Sequence, residues 1–342
     1  MPGGKIKKAA KKGIGERESS EEKTTLAIIS PASFYGFYLI PMLKKVKEYR
    51  LIGIGRDDFK NIGPGNRFYP LDLTQPGADQ DLTKILKQEK ARIVVHLSFL
   101  ETPPHNASWG HEVEAIGTLY ILNSARTSGV KKIVMASTTA VYGAFPQNPH
   151  FLSEEHFLKG TMGSQLFPDR VEAEREAIKF AGQNPEIKLT ILRFAPVLHR
   201  KADNFIVKYF QLPLCPTVMG FDPLWQFTHA SDALNVLFKV TTAAGEGVYN
   251  IAGRGVMPLS QILKFLGKRS ILLPPPALFS LGHTLWAAQL SPLPPGFCNY
   301  LRYPWSADGR RAEKELGFTP RYSILDILRE FRGDMVLDPA FG

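Results

Sequence analysis

The first segment of the chain whose residue types could bind a ligand is a turn of small and polar residues. It follows an apolar run and reads Ser30-Pro31-Ala32-Ser33-Phe34-Tyr35-Gly36. Small side chains let backbone N–H groups approach a phosphate at the N-terminus of the helix that follows. Of the three glycines typical of a dinucleotide-binding turn only Gly36 is present, and Pro31 removes one N–H donor. The candidate cofactor-binding residues of this degenerate turn are Ser30, Ser33, Phe34, Tyr35 and Gly36.

A second candidate ligand group follows the next apolar run. Leu51–Gly55 is followed by Arg56, close to where an acidic residue commonly binds ribose hydroxyls. An arginine here can pair with a 2′-phosphate, which favours NADP over NAD. The alternative is that Arg56 is an ordinary surface cation, because Asp57 and Asp58 would partly neutralise it. Both interpretations stay open at this stage.

Composition limits the class of protein. The chain has 342 residues, 44% hydrophobic and 22% charged, with 22 Phe, 11 Tyr and 4 Trp, enough apolar surface for a core. At about 150 residues per domain, this length predicts roughly two domains, or one large α/β unit with an appendage. Cys215 and Cys298 are the only cysteines, which excludes a disulfide framework and a four-cysteine metal site. We therefore expect a reducing, cytoplasmic compartment and no metal.

The positive charge is concentrated at the start of the chain. The formal charge is +10, and residues 1–24 contribute +3 through seven basic residues and four glutamates. This segment has almost no large apolar side chains, so we expect a disordered, solvated tail. We find no motif for specific nucleic-acid recognition. Weak contact of the tail with an anionic membrane surface is the open alternative.

Apolar runs alternate with amphipathic helical stretches from Thr25 onward. The runs are Leu26–Ser30, Leu51–Gly55, Arg67–Leu71, Arg92–Leu97, Lys132–Ser137, Leu189–Phe194 and Val248–Ile251. The helical stretches include Leu82–Lys90, Val113–Ser128, Val171–Ala181, Ser306–Gly317 and Ser323–Arg332. This alternation predicts an α/β fold with a doubly wound parallel sheet. Ligands bind beyond the carboxyl ends of the strands in such a sheet, which is where the turn and Arg56 fall.

Several motifs occur in the order and spacing of a known family. They are Val94–Ser98, Gly117-Thr118, Gly129–Gly143, Leu192-Arg193, Phe227–Asp232, Val248–Asn250 and Glu315–Pro320. Together they resemble the extended short-chain dehydrogenase/reductase family, which holds nucleotide-sugar epimerases and dehydratases and hydroxysteroid-dehydrogenase-like enzymes. The resemblance implies an NAD(P)-binding Rossmann domain over 25–193 plus about 225–255, and a smaller C-terminal substrate lobe over about 195–224 plus 256–335. The further cofactor contacts that it implies are Asp72, Leu73, Leu97 and Ser98.

The resemblance also implies a catalytic group. Family members use a tyrosine as acid/base, a lysine four residues later that favours the phenolate, and a Ser/Thr hydroxyl that orients the substrate oxygen. Thr138 matches the hydroxyl position, whereas Leu166 stands at the tyrosine position and Arg170 at the lysine position. Arginine is effectively never deprotonated and cannot relay a proton. We therefore expect an NAD(P)-binding, epimerase/dehydratase-like protein whose ancestral oxidoreductase or isomerase chemistry is lost or altered.

Two alternatives to this non-catalytic protein stay open. The first is an active NADP-dependent oxidoreductase or epimerase whose non-standard acid/base comes from Glu154, Glu155, His156 or Asp169. The second is a scaffold or interaction protein that contacts an anionic surface. A homodimer through Val113–Ser128 and Val171–Ala181 is implied by the family resemblance alone.

The stretch 270–301 differs from the rest of the chain, because it contains six prolines and no Asp, Glu, Lys or Arg. Its longest proline-free piece, Ala277–Ser291, predicts a helix of about 22 Å at 1.5 Å per residue, shorter than the roughly 30 Å of a bilayer core. We expect this stretch to pack on the main domain, to line a pocket for an apolar or sugar-nucleotide ligand, or to touch a membrane surface. The residues that would suit an apolar ligand are Phe279, Leu281, Trp286 and Leu290.

Overall fold

The computed structural model describes residues 23–158, 167–243 and 245–338. The strands are β1 (Thr24–Ile29), β2 (Tyr49–Gly55), β3 (Arg67–Pro70), β4 (Ala91–His96), β5 (Lys132–Thr138), β6 (Lys188–Phe194), β7 (Cys215–Val218), β8 (Leu224–Trp225), β9 (Gly247–Ile251), β10 (Met257–Pro258) and β11 (Ser270–Leu273). The helices are α1 (Phe34–Leu43), α2 (Ala78–Gln88), α3 (Ala107–His111), α4 (Gly117–Ser128), α5 (Pro168–Gln183), α6 (Phe205–Gln211), α7 (Ala230–Thr242), α8 (Leu259–Phe265), α9 (Pro275–Ala287), α10 (Phe297–Tyr300), α11 (Arg310–Leu316) and α12 (Ile324–Arg332). Most of the predicted tail, up to residue 22, and Leu166 lie outside the described residues.

Seven of the strands form one parallel sheet in the order β3-β2-β1-β4-β5-β6-β9. In the centre of the sheet Ile29 of β1 lies beside Ile54 of β2 on one side and His96 of β4 on the other. The strand order reverses between β1 and β4, so the connections leave in opposite directions there and open a crevice at the carboxyl ends of the strands. The predicted doubly wound α/β fold is confirmed.

Helices cover both faces of the sheet because alternate strand residues point to opposite sides. Leu26 and Ile28 belong to a core shared with α1 and α7. Ala27 and Ile29 belong to a second core shared with α2 and α4. Strands that are buried on both faces have no polar side to present, which is why their sequences are continuously apolar.

A C-terminal lobe packs over one end of the sheet around an aromatic core. Trp225 lies 5.5 Å from Tyr209, 6.3 Å from Phe297 and 5.9 Å from Trp305, measured between ring centroids. Two small sheets, β7 with β11 and β8 with β10, complete the lobe. Trp225 therefore lies in the middle of the lobe's core.

The uncharged stretch 270–301 packs on the lobe mainly through its C-terminal part, where Leu293, Phe297, Cys298, Tyr300 and Leu301 are buried. Leu278 is the buried residue of α9, and Trp286 stacks on His105 with 3.6 Å between the ring centroids. Leu281 and Leu290 are 46% and 75% exposed, so they do not line a closed apolar pocket. Across the described ranges, the helices are all too short or too polar to cross a bilayer.

Candidate functional site

A cavity of about 210 Å³ opens at the carboxyl edge of the sheet, beside the reversal of strand order. The predicted cofactor contacts in its wall are Ser30, Ser33, Arg56, Asp72, Leu73, Leu97 and Ser98. They follow four different strands, and parallel strands bring their carboxyl ends to one edge. The wall residues that were not predicted from the sequence include Thr74, Phe99, Leu100, Trp109 and Val113. Their only sequence signal is position, shortly after a strand or at the start of the next helix.

The turn after β1 is built with only one of the usual glycines. Ser30 has a φ of 60°, in the left-handed region that favours glycine. Ser33 caps α1, because its Oγ accepts a hydrogen bond of 3.2 Å from the N–H of Gly36. A Cβ at Gly36 would lie 2.5 Å from the carbonyl oxygen of Pro31, so glycine is required for this close approach of α1. The predicted residues outside the cavity wall are Phe34, Tyr35 and Gly36.

Arg56 lies at the mouth of the cavity, directly after β2. Its side chain is 54% exposed, contacts Asp57 at 3.2 Å and lies 5.7 Å from the ring centroid of Trp109. Asp72, also in the wall, accepts hydrogen bonds from the N–H and the hydroxyl of Thr74 at 3.0 and 2.8 Å. Burial opposes the charge of Asp72, but these hydrogen bonds and the charge of Arg56 outweigh it and lower the pKa of Asp72. Arg56 is therefore available to an anion at the cavity mouth.

Arg170, at the family's lysine position, is a buried structural cation. Its Nη2 donates a hydrogen bond of 2.6 Å to Glu114 and another of 2.6 Å to the carbonyl oxygen of Leu100. The guanidinium carbon lies 4.8 Å from the ring centroids of both Phe99 and Phe167. Burial raises the pKa of the Glu114 carboxyl, and the charge of Arg170 opposes that rise. The Nη2 of Arg170 is thus engaged by two structural partners.

Thr138, at the family's hydroxyl position, is also buried. It is 8% exposed and is not among the residues that line the cavity. Its Oγ1 accepts a hydrogen bond of 3.2 Å from the N–H of Ala140, which caps the 3₁₀ turn Thr139–Tyr142. Thr138 and Arg170 are therefore not among the residues that line this cavity, although Arg170 bonds the carbonyl oxygen of its wall residue Leu100.

A buried polar network fills the space beneath the ends of β5 and β6. The hydroxyl of Ser137 donates to Glu174, and Glu174 pairs with Arg193 at 2.7 Å. Arg193 donates to the hydroxyl oxygen of Tyr142 at 2.8 Å, and that hydroxyl donates to Asn250 at 2.7 Å. Burial raises the pKa of Tyr142 to about 12, so this tyrosine keeps its proton near neutral pH.

The other candidate acid/base groups do not line the cavity. The four are Glu154, Glu155, His156 and Asp169, and two of them, Glu154 and Asp169, hold structural contacts. Glu154 accepts a hydrogen bond of 2.7 Å from the backbone N–H of Asn250. Asp169, in the first turn of α5, bonds His111 Nδ1 at 2.9 Å, and this hydrogen bond raises the pKa of the histidine. An acid in the first turn also complements the helix dipole, as expected.

The sheet topology and the cavity at its switch point define an α/β protein of the Rossmann type. Residues 31–252 match the model of the NAD dependent epimerase/dehydratase family. This match covers more than half of the chain, and the chain belongs to that family. The resemblance read from the motifs is thereby confirmed.

Relatives in other organisms extend over most of the chain. A protein of Mycobacterium tuberculosis (strain ATCC 25618 / H37Rv), described as uncharacterised, is 25% identical over 336 residues, which cover 94% of this chain and 88% of that protein. A protein of Sinorhizobium fredii, described in the same way, is 27% identical over 228 residues, 63% of this chain and 55% of that protein.

Solved structures of sugar-nucleotide enzymes share the fold. A dTDP-glucose 4,6-dehydratase from Streptomyces venezuelae with NAD bound is similar with a TM-score of 0.70 and 17% identity, over 90% of this chain and 96% of that chain. A UDP-glucose 4-epimerase from Thermotoga maritima with UDP-glucose is similar with a TM-score of 0.68 and 16% identity, over 90% and 97%. At these identities the similarity shows the fold alone.

Proposed function

We propose that the chain binds an NAD(P)-type dinucleotide in the cavity beside β1, and that the family's proton-transfer chemistry has been lost. The observation that carries this proposal is the buried pair of Arg170 and Glu114. Arg170, at the position that the resemblance implies for the family's lysine, donates to a buried carboxylate and a carbonyl oxygen, so its charge is not directed at a proton-transfer group. The chain thus keeps a nucleotide-binding cavity and lacks the family's proton-transfer group.

The wall of the cavity supports the binding half of the proposal. The N-terminus of α1, capped by Ser33, offers backbone N–H groups and a positive dipole end to a phosphate. Arg56 at the mouth suits a 2′-phosphate, which favours NADP over NAD. Leu73 and Val113 supply apolar surface for a base. Membership of an NAD-dependent family and the NAD bound in the solved dehydratase are consistent with this ligand.

The loss of proton-transfer chemistry is inferred from the groups that hydride transfer requires. Moving a hydride to or from a carbinol carbon needs a group that handles the proton of its oxygen. Thr138 is buried on a backbone contact, and the carboxylates Glu154 and Asp169 already have partners. At the tyrosine position Leu166 has no exchangeable proton on its side chain. The residues at the three family positions therefore offer no acid/base.

Two measurements on the full chain test the proposal. Thermal unfolding with NADH and NADPH should show stabilisation, since ligand at 100 times its Kd adds about 2.7 kcal/mol to the free energy of unfolding. Absorbance of the reduced nicotinamide should stay constant with a panel of UDP- and dTDP-sugars, alcohols and ketones. Absence of stabilisation by either nucleotide overturns the binding half. Sustained turnover that Asp169→Asn or Glu154→Gln abolishes overturns the chemical half.

A second candidate function, contact with an anionic membrane surface, is favoured by the exposed side of α9. Leu281 on α9 and Leu290, three residues after its end, are exposed, and the basic residues Lys268 and Arg269 directly precede the uncharged stretch. Apolar side chains beside cations are typical of interfacial binding. Flotation with phosphatidylserine vesicles tests this function. The double variant Leu281→Asp/Leu290→Asp should lose binding, while Leu325→Asp, a matched exposed leucine on α12, keeps it; equal retention of all three proteins overturns the proposal.

We also propose that the chain forms a homodimer through α4 and α5, as the family resemblance implies. Tyr120 on α4 is partly exposed and Ile178 on α5 is 44% exposed, so apolar surface is present on this side. Light scattering after gel filtration should report a dimer that Ile178→Glu dissociates and Thr127→Glu, at an exposed position of α4, leaves intact. A monomer in the unmodified protein overturns this proposal.

A further inference from the structure

The cavity occupies only part of the crevice that a dinucleotide spans. In a doubly wound sheet a dinucleotide lies across the reversal of strand order, with one half on each side. Among the described residues, the wall comes from the ends of β1 to β4 and from the segment around Trp109 and Val113, and none comes from the end of β5 or β6. The volume of about 210 Å³ is below the roughly 300–1,000 Å³ that is typical of small-molecule sites.

The loop after β4, whose residues Phe99 and Leu100 line the cavity, is held in place by hydrogen bonds. The carbonyl oxygen of Leu100 accepts a 2.6 Å hydrogen bond from Arg170, and its N–H donates one of 2.8 Å to Glu114. The next residue, Glu101, accepts a 3.2 Å hydrogen bond from the backbone N–H of Phe205, at the start of α6 in the lobe. The loop is therefore attached to the sheet helices on one side and to the lobe on the other.

Aromatic side chains of α1 fill the space at the end of β6. Tyr35 stacks on Phe194 with 5.1 Å between ring centroids, and Phe34 lies 5.5 Å from His199. Thr138, at the end of the neighbouring strand, is buried. Moving the loop after β4 would break the hydrogen bonds that Leu100 makes with Arg170 and Glu114 and leave these buried polar groups without those partners, which is unfavourable.

We infer that the cavity recognises an adenosine diphosphate unit and that groups attached beyond its second phosphate add no affinity. The inference rests on the proposed function, because it places the nucleotide in the same cavity, and it adds the ligand class. Free ADP, ADP-ribose and the ADP end of a dinucleotide present the same atoms to the turn after β1 and to the wall around Asp72. The nicotinamide end lies outside the closed half of the crevice.

Isothermal titration of the full chain with ADP, ADP-ribose and NADH tests the inference. We expect the three Kd values to agree within about twofold, because the same contacts are made each time. A Kd for NADH that is about tenfold or more below that of ADP overturns the inference while nucleotide binding stands. Absence of binding by all three overturns the inference together with the binding half of the proposed function.

The fluorescence of NADH supplies a second readout on the nicotinamide end itself. We expect the emission of bound NADH to match that of the free form, because the ring stays in water. A change in emission that excess ADP reverses overturns the inference.

Ala32→Trp, which adds bulk in the cavity wall at an exposed position, should abolish binding of both ADP and NADH. Ala288→Trp, at an exposed position just after α9, is the matched control and should bind both; retained binding by Ala32→Trp overturns the assignment of this cavity.

Discussion

Arg170 on α5 and Glu114 between α3 and α4 form a salt bridge of 2.6 Å although their side chains are only 2% and 5% exposed. The two residues are 56 positions apart in the chain. Both also bond the backbone of Leu100, so the pair ties the loop after β4 to two helices. Arg170, at the position that the family resemblance implies for a lysine, thus holds a loop of the cavity wall in place.

Substitution of one member of the Arg170–Glu114 pair should lower the free energy of unfolding strongly. Arg170→Met leaves Glu114 as a buried, uncompensated charge, so the free energy of unfolding at pH 7 should fall by about 3–5 kcal/mol. Urea denaturation of the full chain measures the change. The double variant Arg170→Met/Glu114→Leu removes both charges and should recover most of the loss. A single variant within about 1 kcal/mol of the parent would show that the charges are not desolvated.

The close approach at Gly36 should tolerate no side chain. Gly36→Ala places a Cβ 2.5 Å from the carbonyl oxygen of Pro31, which should lower the free energy of unfolding by about 1–3 kcal/mol. Gly182→Ala on α5 is the control, because the added Cβ meets nothing within 4 Å and should stabilise the helix by about 0.5–1 kcal/mol. Equal effects of the two substitutions, measured by thermal unfolding, would refute the steric argument.

Arg56 should set the preference between the two dinucleotides. Arg56→Ser removes the cation at the cavity mouth, so the Kd for NADPH should rise about tenfold while that for NADH stays nearly constant. Arg126→Ser, at an exposed position on α4, should change neither value. Titration of the three proteins decides the matter, and an unchanged NADPH affinity in Arg56→Ser would identify Arg56 as an ordinary surface cation.

The contact between His111 and Asp169 should depend on pH. The hydrogen bond to Asp169 raises the pKa of His111 above its ordinary 6.5, so the folded state binds this proton more tightly than the unfolded state does. The stabilisation is fully present below pH 6.5 and is lost as the pH rises through the folded-state pKa. The difference in unfolding free energy between the parent and His111→Asn should therefore shrink from pH 5.5 to 8.5. A constant difference would contradict the assignment.

Most of the sheet was predictable because its central strands are largely apolar, although β6 also contains Thr190 and Arg193. The run Lys132–Ser137 corresponds to β5, which extends one residue further to Thr138. Helix ends were harder to predict, because they depend on local hydrogen bonds. The helix predicted from Ser306 begins only at Arg310, whose N–H donates to the side chain of Asp308 at 3.0 Å.

Only those residues of the candidate site that directly follow a strand were predictable from the sequence. Ser33, Arg56 and Asp72 each follow a strand, so parallel topology alone brings them to one edge. The pairing of Arg170 with Glu114 was not predictable, because it arises from the packing of α5 against the turn after α3. Sequence likewise did not indicate that Trp109 would reach the cavity.

A crystal structure of the full chain grown with NADPH would show directly whether the cavity binds the nucleotide while the Arg170–Glu114 pair stays closed. We expect an ordered adenosine and diphosphate between Ser33 and Asp72, with the hydrogen bond from Arg170 to Glu114 intact. An ordered nicotinamide ring against Thr138, with that hydrogen bond broken, would contradict it.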